Sequence, residues 1–267
     1  MSERMLEVKN ITKRYHRQTV LDRLSFSLER GHIYGFVGEN GSGKSTTLRI
    51  IAGLSTPDRG SVELFGASGK NNLAHARKRT GCMIEHPVFD LSLTAAENLR
   101  LYCLLYGMHD FSCIPRLLER TGLGGTGGKK VRDFSLGMKQ RLGIAASLVS
   151  SPELLILDEP MNGLDPLGMI AVRKLLLSLQ KDDGITILLS SHILSELQEL
   201  ASDYIFISGG KLLAAVGAKQ ILAGGMTLEQ YYLSLFTGFK SEQNTKERQF
   251  QKSQATCCRG LFETGQN

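Results

Sequence analysis

Three stretches of this sequence carry residues of the type and spacing that handle phosphate. Residues 38–46 read Gly38-Glu39-Asn40-Gly41-Ser42-Gly43-Lys44-Ser45-Thr46, a full match to G-x-x-x-x-G-K-[ST]. Its glycines let successive backbone N–H groups turn inward onto phosphate oxygens, and a helix starting there adds its positive dipole end. Lys44 supplies a charge to the β- and γ-phosphates, and the Ser45 hydroxyl is a ligand for Mg2+. This loop implies a bound nucleotide. The run LLILDEP at 154–160 narrows the chemistry, because it delivers Asp158 and Glu159 at the end of an apolar strand. Two adjacent carboxylates at the mouth of a buried strand are costly without a cation or water. Asp158 is therefore assigned to the Mg2+ shell, and Glu159 to orienting and polarising an attacking water. The third stretch is FSLGMKQR, residues 134–141, where Ser135 and Gly137 open what reads as a helix, a natural anion site. Why one chain should need a second phosphate grip is not explained by the chain alone.

Two further residues stay open on spacing. His192 ends the apolar run ITILLSSH and is either a satisfied core histidine or a contact to the γ-phosphate, the second favoured by the company of the other motifs. Tyr15 precedes Gly38 by 38 − 15 = 23 residues and either stacks on a base or packs in the core.

The elements that must hold these residues follow from hydrophobic period. Residues 5–34 alternate apolar and polar and predict short strands with turns, antiparallel in pairing. YGFVG predicts a buried strand into the glycine loop, STTLRIIAGL a helix, and GSVELFG another strand. Residues 93–121 read as helical, with Thr94 and Glu97 forming a capping box and a proline near the first turn of a second helix. The continuous apolar runs at 154–160 and 185–192 suit parallel strands buried on both faces, with a helix between them. The fold class is α/β: a P-loop NTPase with a mainly parallel sheet, an antiparallel β part at the N-terminal end, and an α-helical insertion over about 86–150. Residues 1–238 form the ATP-binding domain, and the polar segment 239–267 has no core-forming pattern and is expected to be a disordered tail.

Composition excludes several classes. The N-terminal MSERMLEVKN is charged and is no signal peptide, and the greasiest stretch, LRLYCLLYGM, is too short to cross a bilayer. The chain is expected in the cytosol unless a partner holds it at a membrane. Five cysteines lack metal-ligand spacing and read as reduced thiols. The net charge of +6 is not concentrated in a basic helix with interleaved aromatics, so no nucleic acid is expected as a partner. A GTPase would carry an N-K-x-D motif, which is absent; DPLG at 165–168 follows the carboxylate strand instead of supplying it. A small-molecule kinase needs neither Glu159 beside Asp158 nor the Ser-x-Gly helix start. A DNA-repair or chromosome ATPase would show sustained heptads, and none occur.

In order, Tyr15, GENGSGKST, MIEHP, FSLGMKQR, LLILDEP, NGLD and SSH resemble the ATP-binding subunit of ABC transporters, a likeness that runs to about residue 238. The resemblance implies that Tyr15 stacks on adenine, Glu159 is the catalytic carboxylate, His192 senses the γ-phosphate and Asp165 lies at a dimer seam. It also implies that Ser135 and Gly137 close over the ATP of a second subunit. The chain departs from the family in two places. The signature usually reads Leu-Ser-Gly-Gly-Gln and here is Phe134-Ser135-Leu136-Gly137-Met138; the loop that usually carries glutamine shows Glu85. A carboxylate there adds negative charge beside Mg2+ and removes an N–H2 donor, and Glu85 is assigned to the metal shell. IEHP, FSLGMKQRLGIA and NGLDP are similar to the branch associated with bacitracin resistance and lantibiotic self-protection. The implied system is an ATPase, with ATP and Mg2+, that energises export of peptide antibiotics or other amphiphiles. Its partners are separately encoded membrane-spanning permease subunits and a second copy or homologue, which place it peripherally on the cytoplasmic face of the membrane. The alternative is a non-transport ATPase of the same family acting on ribosomes or DNA.

Overall fold

The computed structural model describes residues 3–85 and 87–237. The expected tail at 239–267 lies outside the described residues. The chain divides into two compact units, Met1–Gln220 and Ile221–Asn267. In the second unit, residues 228–237 are helical, with the Tyr232 and Phe236 rings stacked at 5.7 Å.

The first unit opens with two long antiparallel strands, β1 (Arg4–Tyr15) and β2 (Gln18–Glu29). The short strands expected over 5–34 are thus two twelve-residue strands, while the residues after Gly31 leave them for a different sheet. That next strand is β3 (Ile33–Val37), followed by α1 (Lys44–Ala52) and β4 (Arg59–Leu64). Strands β2, β1 and β4 form one antiparallel sheet whose inward residues, Leu6, Val8, Ile11, Leu24 and Leu28 among them, are buried. This is the alternation read from the sequence, one face in and one face out.

The helix α2 (Lys70–Arg77) and the strand β5 (Thr80–Met83) come next, and neither is legible in the apolar pattern. Helix α2 buries only Ala76, so it has almost no apolar stripe, and β5 is four residues long. Then come the insertion helices α3 (Ala95–Leu105), α4 (Cys113–Arg120) and α5 (Leu136–Ser147). They share a core of Leu99, Cys103, Ile114, Leu123, Phe134 and Leu142. The Thr94–Glu97 capping box is present, with both reciprocal hydrogen bonds made. Cys82, Cys103 and Cys113 are free thiols, and burial pushes the Cys82 thiol up to about 12.

The chain then returns to strand and helix: β6 (Leu154–Asp158), α6 (Pro166–Asp183), β7 (Thr186–Ser190), α7 (Leu194–Leu200), β8 (Asp203–Ser208) and β9 (Lys211–Gly217). The second sheet has the order β5-β6-β7-β3-β8-β9, parallel except for the β8–β9 hairpin. All residues of β3, β6 and β7 are buried, the reason their sequences are continuous apolar runs. Register aligns Phe36 with Ser190 and Ser190 with Asp158. The carboxyl ends of three neighbouring strands therefore open along one edge, the place where open parallel sheets bind ligands.

Candidate active site

The glycine loop joins β3 to α1, and its own chain dictates two of its glycines. A Cβ on Gly38 would stand 2.5 Å from the Ile207 carbonyl oxygen and 2.5 Å from Ser42 Oγ. Gly43 caps α1 in the left-handed region at φ 105°, and a Cβ there would stand 2.5 Å from Leu21 Cδ2. Gly43→Ala is expected to lower stability by roughly 1–3 kcal/mol, and thermal unfolding without nucleotide checks it; an unchanged Tm would mean that the turn adapts. By contrast a Cβ on Gly41 would meet nothing within 4 Å, so only its φ of 80° asks for glycine within this chain. The Ser42 hydroxyl is buried without a hydrogen-bond partner, a cost the loop carries that its own folding does not explain.

Lys44 is buried, and its ammonium donates to the Gly38 carbonyl at 2.7 Å and the Glu39 carbonyl at 3.2 Å. Burial lowers its pKa, while the nearby charges of Glu159, Asp158 and Glu39 act to raise it. Lys44 opens α1, and its loop leaves β3 at the same sheet edge where β6 ends in both carboxylates. Glu39, Asn40 and Ser45 are exposed, and Thr46 is half-buried. Ser45 stands in the first turn of α1, where the helix dipole is positive.

At the end of β6, Asp158 is only 8% exposed and accepts a 2.5 Å hydrogen bond from Ser190 Oγ. The same hydroxyl accepts from the Glu159 N–H at 3.0 Å. Ser190 thus fixes both carboxylate residues, a role the sequence motifs did not show; its only signal was its place at the end of the apolar strand. Glu159 sits in the left-handed region at φ 50°, strain that a non-glycine residue carries at functional turns. Its Oε2 lies 2.7 Å from His192 Nδ1. The His192 side chain is 49% exposed, so the core reading of this histidine fails.

Tyr15 ends β1 at the hairpin turn, the residue 42% exposed and Lys13 Nζ 5.3 Å from its ring centroid. It is not a core residue. Glu85 follows β5 in the left-handed region at φ 64° and forms an ion pair with Arg49 of α1, its partner in place of the Asp158 cluster.

Ser135 is the N-cap of α5, its Oγ accepting from the Met138 N–H at 3.3 Å. Gly137 has no positive φ, and a Cβ on it would meet only Leu164 Cδ2 at 3.6 Å, an ordinary contact. Among the described residues nothing requires glycine there. Asp165 caps α6 by accepting from the Gly168 N–H at 2.9 Å, with Pro166 at the first helical position. The FSLG and NGLD segments touch, since a Cβ on Gly163 would be 2.9 Å from Leu136 Cδ2. Among the described residues, neither Ser135 nor Gly137 hydrogen-bonds to the glycine loop. One cluster therefore joins Lys44, Asp158, Glu159, Ser190 and His192, while Ser135, Gly137 and Asp165 belong to a second.

The family described as ABC transporter is matched over residues 21–162. The bacitracin transport ATP-binding protein BcrA of Bacillus licheniformis is 45% identical over 212 residues, 79% of this chain and 69% of that protein. The lantibiotic transport ATP-binding protein SrtF of Streptococcus pyogenes is 41% identical over 209 residues, 78% of this chain and 89% of that protein. Among solved structures, an ATP binding subunit of an ABC transporter superposes with a TM-score of 0.77 at 33% identity, covering 87% of this chain and 99% of the other.

Proposed function

The chain belongs to the ABC transporter family, and on that premise we propose that it hydrolyses ATP at the Lys44–Glu159 cluster to energise export of peptide antibiotics through a separately encoded permease. The observation that carries the chemistry is the placement of Asp158, Glu159 and His192 at the sheet edge where the glycine loop with Lys44 leaves β3. The substrate class rests on the bacitracin and lantibiotic transport proteins among its relatives. Among the described residues no helix is long and apolar enough to cross a membrane, so a permease has to be supplied by another segment or chain.

Each residue then has a task. The Tyr15 ring stacks on the adenine, and the loop N–H groups of Gly38, Glu39, Asn40, Gly41, Ser42 and Gly43, with those of Lys44, Ser45 and Thr46, cradle the phosphates. Lys44 exchanges its carbonyl partners for phosphate oxygens. Glu159 takes the proton side of the attacking water, and His192, bonded to it, steadies the carboxylate and reads the γ-phosphate.

Mg2+ fits the residues present. Ser45 offers an exposed hydroxyl and Asp158 a carboxylate with one oxygen outside the Ser190 bond, hard donors of the kind that ion takes. Among the described residues no group of three His, Cys, Asp or Glu side chains forms a metal cage. That agrees with an ion held by one or two protein oxygens plus phosphate and water. When bound, it neutralises charge on the transferring phosphate; Glu85 is proposed at the edge of its shell. Ser135, Gly137 and Asp165 are proposed to face the ATP of a second copy or homologue, at the cytoplasmic face of the membrane.

The test is Lys44→Ala in the purified chain. Hydrolysis should fall about 100-fold or more, the scale of losing one charged donor at a reacting phosphate, and ATP affinity should fall with it. Retained turnover would remove the glycine loop from the active site. For the substrate class, loss of the chain should sensitise cells to bacitracin or a lantibiotic; unchanged sensitivity to a panel of both would remove that class.

A further inference from the structure

We propose that Arg49 is the positioning residue for Glu85: it holds this carboxylate at the rim of the site and sets how strongly it draws the nucleotide-bound cation. The inference rests on the ATP-site reading and goes beyond it. Strand β5 pairs Met83 with Leu157 of β6, so the chain leaves the sheet at Glu85 beside the end that carries Asp158 and Glu159. Asp158, Glu159 and Glu85 thus all lie at or just beyond strand ends on one edge of the sheet. The charges of Asp158 and Glu159 act on the nearby Lys44, while Glu85 forms an ion pair with Arg49.

Arg49 is built to serve this purpose. It lies one helical turn beyond Ser45 on the same face of α1, so its guanidinium works beside the proposed metal hydroxyl. Its backbone carbonyl accepts from the Leu54 N–H at 2.9 Å and the Ser55 N–H at 3.2 Å, which fixes the residue independently of its side chain. Glu85 is equally constrained, at φ 64°. The two side chains are 40% and 59% exposed, so the pair is weak and screened by salt. A weak pair restrains the carboxylate without locking it. Glutamine in this loop needs no such counter-charge; glutamate does, because it adds a negative charge beside two others.

Arg49→Ala should leave the fold intact, since alanine is a good helix former and the backbone bonds remain. With Mn2+ as the probe, titrated against the ADP-bound full chain, its apparent affinity should tighten about 3-fold, within the range of an exposed ion pair. In a Glu85→Gln background the same substitution should change nothing, and Arg49→Lys should keep the original value. An equal shift in both backgrounds, or none in the first, overturns the proposal. Without nucleotide, Tm values for Arg49→Ala, Glu85→Gln and the double variant should be non-additive at low salt and additive at high salt. Additivity at low salt also overturns it, whether or not the chain binds nucleotide. A failure of the ATP-site reading shows separately, as a chain that binds no ADP.

Discussion

Glu159→Gln should nearly abolish steady-state hydrolysis and spare ATP binding, with turnover falling about 100- to 10,000-fold, the contribution of a positioned general base. The amide keeps the length of the side chain and can still accept a hydrogen bond from His192, which lies 2.7 Å from the carboxylate. What it loses is the negative charge that takes the proton of the attacking water. Lys44, Ser45 and Asp158 are untouched, so the phosphates are held as before. Because chemistry stops after binding, ATP should accumulate a closed pair of subunits that size-exclusion chromatography resolves at millimolar ATP. Glu159 has φ 50°, which glutamine tolerates no better than glutamate, and an unchanged Tm confirms that the backbone survives. Normal turnover in this variant would sink the assignment and leave Asp158 or His192 as the base.

The parts of this site that were readable in the sequence are those whose chemistry lies in adjacent residues. The loop at 38–46 and the pair Asp158-Glu159 are local because a turn and a strand end are local structures. Ser190 and Arg49 were not readable, since each acts through a partner distant in sequence: Asp158 by parallel register, Glu85 by the neighbouring strand. For His192 and Tyr15 spacing leaves two readings, because it cannot report exposure, and exposure is what separates a core residue from one that meets a ligand. The same limit governs the fold. Strands β3, β6 and β7 announced themselves as unbroken apolar runs, whereas α2 buries a single residue and offered no period to read. The β8–β9 hairpin carries a local signal in Gly209-Gly210, between two apolar segments and both at positive φ.

Gly137→Asp should abolish hydrolysis while leaving ATP affinity of the single subunit within a few-fold of the original. The structure supplies the reason that this would not be misfolding. A Cβ at 137 meets only Leu164 Cδ2, at ordinary distance, and position 137 is the second residue of α5, where a carboxylate is favoured by the helix dipole. The chain itself therefore tolerates aspartate, and the penalty falls on whatever approaches the helix end from outside. If that visitor is the γ-phosphate held by Lys44 of a second subunit, each chain supplies half of two sites, and the second phosphate grip in FSLGMKQR is explained. Mixing Gly137→Asp with Lys44→Ala then separates the two arrangements. In the mixed pair one site has the intact Lys44 of one chain facing the intact Gly137 of the other, and the second site carries both lesions. Random pairing makes half the dimers mixed, each with one working site of two, so activity should return to about one quarter of the original if sites work independently. Were the two sites obliged to fire together, turnover would stay low, yet one ATP per mixed dimer should still be occluded in the intact site. Proven mixed dimers with neither turnover nor an occluded nucleotide would place Ser135 and Gly137 outside the partner's site and return FSLGMKQR to an ordinary capped helix.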